Sequence, residues 1–452
     1  MIVIGAARQG LAASRYLARR SARVLLTDNR PRSYFNDLEA ELSGFAVELY
    51  LGGHPIEILD GADVICVSGG VPLTIPFIKE AQARSIPLTN DSQLFMEEVD
   101  AKVIGITGSA GKTTTTVLTG AVAKAALEPK VKVWVGGNIG FPLIEHLEEI
   151  QPEDWVVHEF SSFQLEQMTL SPHIAVITNI TPNHLDRHKT MEAYTAAKTH
   201  ILEYQSAKDF AVFNRDDAGS MHLADKTSAS IITFGFNTPS GKNPGVFIKD
   251  ENLIAFDGRD EAILFPTNTL KLPGRHNLAN AMAACAACLA AGFPAHSMRE
   301  GIGFVEGIPH RLELVREFKG IQWINDSIAT APERVMAAMR AIEGPLVMLL
   351  GGRDKDLPWE ELAAMLHERR SKVVLFGEAG SLVSAALNKY EGAALTYPLL
   401  QVKTLEEAVQ KAAETAEKGD KVLLSPGGTS YDAYRDFEER GEHFRNLVKA
   451  LK

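Results

Sequence analysis

Short apolar runs, each closing on glycine or polar residues, recur along the chain with longer mixed stretches of helical spacing between them. They fall at residues 2–4, 23–27 and 63–67, then at 103–107, 155–157, 174–178 and 210–213, and again at 321–324, 346–350, 372–376 and 421–424. Runs that do not alternate apolar with polar read as strands buried on both faces, the condition of a parallel sheet covered by helices. The predicted fold class is α/β with mostly parallel sheets. Ligands of such sheets bind beyond the carboxyl ends of the strands, where the polar closing residues stand.

The first run is followed by a turn from Gly5 to Gly10, a helix over 11–20, and a second strand closing on Asp28, the order of a nucleotide-binding half-unit. The turn lacks the middle glycine of G-x-G-x-x-G, the one that lets backbone approach a pyrophosphate, which argues against NAD. Residues 68–72, around Gly70, offer a second glycine turn for a phosphate or sugar. The strand pattern restarts near 103 and near 321, and 452 residues at roughly 150 per domain suit three domains. The expected boundaries are 1–92, 93–305 and 306–452: a Rossmann-like N-terminal domain, a central P-loop-type ATP-binding domain and a Rossmann-like C-terminal domain.

Composition narrows the function. With 45% hydrophobic and 23% charged residues the chain has an ordinary globular make-up, so disorder is excluded. Its 46 Lys and Arg against 57 Asp and Glu give a net charge of −11, which argues against nonspecific binding to nucleic acid or anionic membranes. Three cysteines suit a reducing compartment, and the Cys285-x-x-Cys288 pair sits in an alanine-rich run that reads as helix packing. The most apolar stretch, 281–293, is shorter than the ~20 residues a membrane span needs, and the chain opens in a strand rather than a charged leader. A cytoplasmic monomer without membrane insertion is expected.

The densest chemistry is Gly108, Ser109, Ala110, Gly111, Lys112 and Thr113, with Thr114 following, between an apolar strand and a helix. Glycines free backbone N–H groups for phosphate, Lys112 offers a point charge, and Thr113 can reach Mg²⁺, so the loop predicts ATP or GTP. Counted from Gly105 it is one residue short of G-x-x-x-x-G-K-T. The next strand delivers Glu159 at its end, where a carboxylate would hold Mg²⁺, and Ser161 and Gln164 follow as substrate-orienting polar groups. His184, in a dense polar loop, is a candidate metal or substrate contact, whereas His188 is expected at the surface.

Together the motifs resemble the Mur ligases of peptidoglycan precursor synthesis. They are G-S-A-G-K-T, His158-Glu159-Phe-Ser-Ser-Phe-Gln164, Asn179-Ile-Thr-Pro-Asn-His184, Gly274-Arg-His-Asn277-Leu-Ala-Asn280, Pro309-His-Arg311, Asn325-Asp326-Ser327 and Leu349-Leu-Gly-Gly352. Ser425-Pro-Gly-Gly-Thr-Ser430-Tyr-Asp and Phe437-Glu-Glu-Arg-Gly441 point to the branch that adds D-glutamate to UDP-N-acetylmuramoyl-L-alanine. The resemblance implies ATP-driven amide formation through an acyl phosphate, in cell-wall biogenesis on which cell shape and division depend, with domain closure bringing the third domain to the ATP. It places Lys112, Glu159, His184 and Lys198 in catalysis, with Thr113, Glu159, His184 and a carbamylated Lys198 around two Mg²⁺ ions. Asn277, Asn280, Arg311 and Asp326 would join the loop on ATP. Asp28, Arg30, Gly70, Asn138, Ser161 and Gln164 would meet the UDP-sugar, and Thr330, Lys355, Ser430 and Phe437 the glutamate.

One departure bears on substrate choice. The family usually reads Asp-Ser-Lys-Ala-Thr-Asn where this chain has Asp326-Ser-Ile328-Ala-Thr330-Ala331-Pro332, so a cation is missing near the γ-phosphate or the glutamate. An L-glutamate-adding branch also lacks that lysine, which keeps L-glutamate as an alternative. Asn183 stands before His184 where an acidic residue is common, and Gly428-Thr429 precede Ser430. Two further readings stay open: a folylpolyglutamate-synthase-like ligase, and a nucleotide-dependent switch without ligase activity.

Overall fold

The apolar runs form the central strands of three sheets in the computed structural model, which describes residues 1–452 apart from 36–37, 240, 355–356 and 390–397. Two units, Met1–Glu306 and Gly307–Lys452, make up the chain. The first holds two sheets and the second one, so the fold is α/β with three domains. Among the described residues no helix is long and apolar enough to cross a membrane.

The first sheet contains β1 (Ile2–Ile4), β2 (Val24–Asp28), β3 (Val47–Leu51), β4 (Ile65–Val67) and β5 (Leu88–Thr89), parallel in the order β3-β2-β1-β4-β5. The order reverses between β1 and β4, which sets the 5–10 turn beside residues 68–72, the crevice where such sheets take ligands. Gly10 lies so close to the Gly5 carbonyl that any side chain there would overlap it.

The second sheet runs β14-β13-β12-β11-β10-β9-β6-β8-β7, built from β6 (Lys102–Thr107), β7 (Val133–Gly137), β8 (Trp155–Glu159), β9 (Ile174–Ile177), β10 (Phe210–Asn214), β11 (Ser230–Phe234), β12 (Gly245–Lys249), β13 (Asn252–Phe256) and β14 (Glu261–Pro266). Strands β7 to β12 and β6 are parallel, and β12, β13 and β14 form an antiparallel meander that the apolar runs did not announce. Its first turn is a two-residue hairpin with Asp250 and Glu251 both at positive φ. That conformation usually carries Asn-Gly or Asp-Gly, so no sequence signature marked it. Val3 and Leu26 of the first sheet share a core with Val103, Trp134 and Val156 of the second, which explains why both sheets fall in one unit.

The last sheet, β15-β16-β20-β17-β18-β19, contains β15 (Glu313–Phe318), β16 (Ile321–Asn325), β17 (Leu346–Gly351), β18 (Lys372–Phe376), β19 (Leu399–Gln401) and β20 (Lys421–Gly427). Only β15 is antiparallel. Strand β20 lies between β16 and β17, so the carboxyl ends of these three stand together.

Behind the second sheet the helix Lys112–Leu127 packs on Arg275–Ala290 and Ala295–Phe304. Cys285 and Cys288 are buried free thiols within that layer. At Gly301 a Cβ would stand 2.5 Å from the backbone N and Cα of Val122, so the two helices touch through their main chains. An unhindered Gly→Ala change in a helix gains about 1 kcal/mol. Here Gly301→Ala is expected to lower stability by about 1–3 kcal/mol through overpacking; denaturant unfolding reads the sign.

Candidate active site

The parallel strands bring four loop ends to one place. Glu159 on β8 lies level with Ile106 of β6 and Gly137 of β7, while Thr107 of β6 pairs with Ile177 of β9. The chain passes from β6 to β7 and β8 on one side, then crosses to β9 on the other, so the loop after β6 opens at a topological switch point.

That loop is 108–111. Gly108 and Gly111 have φ of +148° and +84°, and a side chain on either would overlap Thr178 or Asn280. The end of β9 holds the loop in shape. The N–H groups of Ser109 and Ala110 donate to the carbonyl and side-chain oxygen of Asn179, each at 2.9 Å, and the amide of Asn179 and the hydroxyl of Thr178 donate to the Ala110 carbonyl. Ser109 Oγ donates to the Thr181 carbonyl and accepts from Tyr194 OH at 3.0 Å. With these two N–H groups committed, phosphate would be met by the N–H groups of the first helical turn, from Lys112 onward, which have no partner inside the helix. Lys112 Nζ donates to the Gly108 carbonyl at 2.9 Å, at the mouth of the loop. Thr114 is buried, its hydroxyl without a hydrogen-bond partner among the described residues.

Glu159 is 1% exposed, with one oxygen accepting from Thr113 Oγ1 at 2.9 Å and the other from Asn138 Nδ2 at 2.8 Å. Mg²⁺ takes hard oxygen ligands, commonly one or two carboxylates with the rest from phosphate and water. The Glu159 carboxylate beside the Thr113 hydroxyl fits that donor set, and no group of three His, Cys, Asp or Glu side chains gathers among the described residues.

Lys198, on the helix Met191–Glu203, is 1% exposed where composition alone would put a surface lysine. Its Nζ donates to Thr107 Oγ1 at 3.1 Å and to the Gly108 carbonyl at 3.0 Å, over the Tyr194 ring. Burial, then the nearby Lys112 charge, push its ammonium well below the usual lysine range. His184 begins the short helix Leu185–His188 at φ 52°, its ring edge-on to Phe163 at 5.2 Å. Asn183 accepts from the His184 N–H and donates to the Ser109 carbonyl, so it braces the loop where an acid would have added charge.

His188 corrects the surface expectation: it is buried, bonds Ser162 Oγ at 2.9 Å and stacks on Phe163. A helix of four residues gave no periodicity from which its inward face could be read. Arg187 was also not anticipated. Its guanidinium lies 4.6 Å from the Phe163 ring and donates to the carbonyls of Gly70 and Val71, joining the His184 loop to the first sheet.

On the first sheet Asp28 accepts from the Ala6 N–H and pairs bidentately with Arg30, which in turn lies over Tyr34 and Phe35. Asn138, expected on the sugar side, sits on Glu159. Ser161 and Gln164 form a capping box around Ser162–Leu165. Gln164 is fully buried with Nε2 on Ser92 and Oε1 on Ser161, so it acts on any ligand through Ser161.

Asn280 faces Gly111 and bonds Asn277, beside the 108–111 loop. The other candidates belong to the second unit. Asp326 accepts from Ser425 Oγ and the Leu312 N–H, next to Arg311, and burial raises its carboxyl to about 7. Ser327 donates to the Phe437 carbonyl, and the fully buried Arg440 donates to Ser327 and to the Gly428 carbonyl, tying the ends of β16 and β20. Thr330 is half-buried and Ser430 is buried at these ends; Lys355 lies outside the described residues.

Residues 1–90 match the Mur ligase MurD-like N-terminal domain, 106–288 the Mur ligase middle domain, and 310–428 the Mur ligase glutamate ligase domain. The chain is 40% identical to the UDP-N-acetylmuramoylalanine–D-glutamate ligase of Symbiobacterium thermophilum, over 99% of this chain and 97% of that one. It is 37% identical to the enzyme of that name from Pelotomaculum thermopropionicum, over 100% and 98%. Among solved structures, a UDP-N-acetylmuramate–alanine ligase from Thermotoga maritima superposes with a TM-score of 0.61 at 19% identity, covering 100% of this chain and 99% of that one, a likeness of fold.

His158, fully buried and stacked 4.0 Å from Phe160, has its pKa pushed down by burial to about 3. A histidine held neutral in the fold contributes stability above its unfolded pKa of about 6.5 that is lost as pH falls toward the folded value. His158→Asn is expected to melt lower than the parent at pH 8 but to lose less further stability between pH 7 and pH 4, followed by thermal denaturation.

Proposed function

The chain belongs to the Mur ligase family, and on that premise we propose that it is an ATP-dependent, ADP-forming ligase that joins D-glutamate to UDP-N-acetylmuramoyl-L-alanine. The observation that carries the reaction is the junction of Thr113, Glu159 and Asn138 at the mouth of the phosphate loop, with Lys112 beside it. Full-length similarity to D-glutamate ligases supports the choice of substrates.

A carboxylate is a poor electrophile. Transfer of the ATP γ-phosphoryl group to the alanine carboxylate turns one oxygen into a leaving group. The glutamate amine then attacks, and the tetrahedral intermediate expels phosphate to leave an amide. Such transfer rests on positioning and charge neutralisation, which Lys112 supplies on the β- and γ-phosphates. Thr113 and Glu159 would hold Mg²⁺, which supplies further neutralisation when bound. Lys198 is assigned as a carbamate. Its buried amine is driven toward the neutral form that adds CO₂, and the resulting anion would sit near the Lys112 cation and hold, with His184, a second ion.

Asn277, Asn280, Arg311 and Asp326 are assigned to the nucleotide. Asp28, Arg30, Gly70, Asn138 and Ser161 are assigned to the UDP-sugar, with Gln164 behind Ser161. Thr330, Lys355, Ser430 and Phe437 are assigned to glutamate. The setting is the cytoplasm, where ATP and UDP-linked precursors are available, and the product feeds peptidoglycan synthesis.

Phosphate release from ATP and Mg²⁺ with UDP-N-acetylmuramoyl-L-alanine is expected with D-glutamate and not with L-glutamate or without amino acid. Release with L-glutamate alone would make Ile328 a marker of the other stereochemistry, and release indifferent to amino acid would overturn the ligase. Lys112→Ala should lower turnover by at least about a hundredfold with an unchanged melting temperature; full activity in that variant would remove the phosphate-loop assignment.

A further inference from the structure

Glutamate arrives with two carboxylates, and a chain of net charge −11 must place cations locally to receive them. At the carboxyl ends of β16, β17 and β20 most of the described arginine charge is already committed. Arg440 is fully buried, and its three nitrogens are on Ser327 and the Gly428 carbonyl. Arg353 is held bidentately by Glu378, at 2.7 and 2.9 Å. Arg311 lies with Asp326, which the reading above assigns to the nucleotide. The side chain at 328, in the turn leaving β16, is an isoleucine and brings no charge.

Arg334 differs from these. It sits in the first turn of the helix Pro332–Ala341 and is solvent-exposed, and its guanidinium folds back over the turn to donate from Nη1 to the Ile328 carbonyl at 3.4 Å. That carbonyl already accepts the Thr330 N–H at 2.9 Å, so the guanidinium stands beside Thr330 itself. Its charge also reaches Asp326 at the end of β16. A long bond from a charged donor to a neutral carbonyl already in use is a weak tether, and a carboxylate at this point offers a shorter, charge-assisted and bidentate partner.

Resting on the ligase reading above, we propose that Arg334 is a substrate-binding residue: it supplies the cation that Ile328 does not, and holds a carboxylate of the incoming glutamate at the turn of Ile328 and Thr330. The pair is complementary, because an apolar side chain at 328 leaves room and no competing charge for a guanidinium approaching from the helix.

The test is steady-state kinetics of the full-length enzyme with Arg334→Gln, which keeps length and polarity and removes the charge. The KM for D-glutamate is expected to rise at least about tenfold, while the KM values for ATP and UDP-N-acetylmuramoyl-L-alanine stay within about twofold of the parent. Adding Ile328→Lys to Arg334→Gln returns a cation to the same turn and is expected to recover most of the lost glutamate affinity. A glutamate KM within about twofold of the parent in Arg334→Gln would overturn the assignment, as would three KM values rising together. A double variant no better than Arg334→Gln would overturn it as well. A parent enzyme without glutamate-dependent turnover would instead remove the ligase reading, so the two failures are told apart by the parent alone.

Discussion

A carboxylate taken out of water is costly unless donors or cations surround it, and the burial of Glu159 sets terms that the rest of the site meets. Thr113 must stand in the first turn of the helix after the 108–111 loop so that its hydroxyl reaches one oxygen, and Asn138 must follow β7 directly so that its amide reaches the other. Strands β6, β7 and β8 therefore have to end in register. The lysines follow the same logic: Lys112 and Lys198 both donate to the Gly108 carbonyl, which brings the two side chains together at the mouth of the loop. Glu159, Asn138, Lys112 and Thr113 each stand at a strand end or a helix start, where backbone geometry leaves little freedom to drift.

The second unit reaches a comparable arrangement by another route. The ends of β16 and β20 are joined by Arg440, an arginine buried deeply enough that its pKa falls to about 10. Three donations to Ser327 and Gly428 satisfy the guanidinium and fix the turns on which Thr330 and Ser430 stand. A cation used inside the scaffold in this way is no longer available to a ligand, which is why the neighbouring exposed arginine matters.

Much of this was readable in advance where the signal was local. Non-alternating runs closing on polar residues located the parallel strands, and the glycines and Lys112 located the phosphate loop, since those features need only their own segment of chain. What stayed hidden depends on segments far apart in sequence. Asn179 and Tyr194 lock the loop across a sheet and from a helix, Lys198 is buried only because that helix covers the end of β6, and His188 turns inward from a helix too short to show a face. The meander of β12 to β14 was missed for a local reason, its turn being made of Asp250 and Glu251 rather than the residues that usually announce it. The roles given to Lys198, Arg30, Asn138 and the glutamate residues come from resemblance alone, whereas Gly70, Ser161 and Gln164 were also marked by their own motifs.

The grip of Arg187 on the carbonyls of Gly70 and Val71 has a thermodynamic side. It makes the glycine turn of the first sheet and the loop bearing His184 partners in one equilibrium, so neither can be ordered without lowering the cost of ordering the other. Linkage is reciprocal. A ligand that stiffens the turn would improve the binding of whatever the histidine loop holds by the same factor as the reverse.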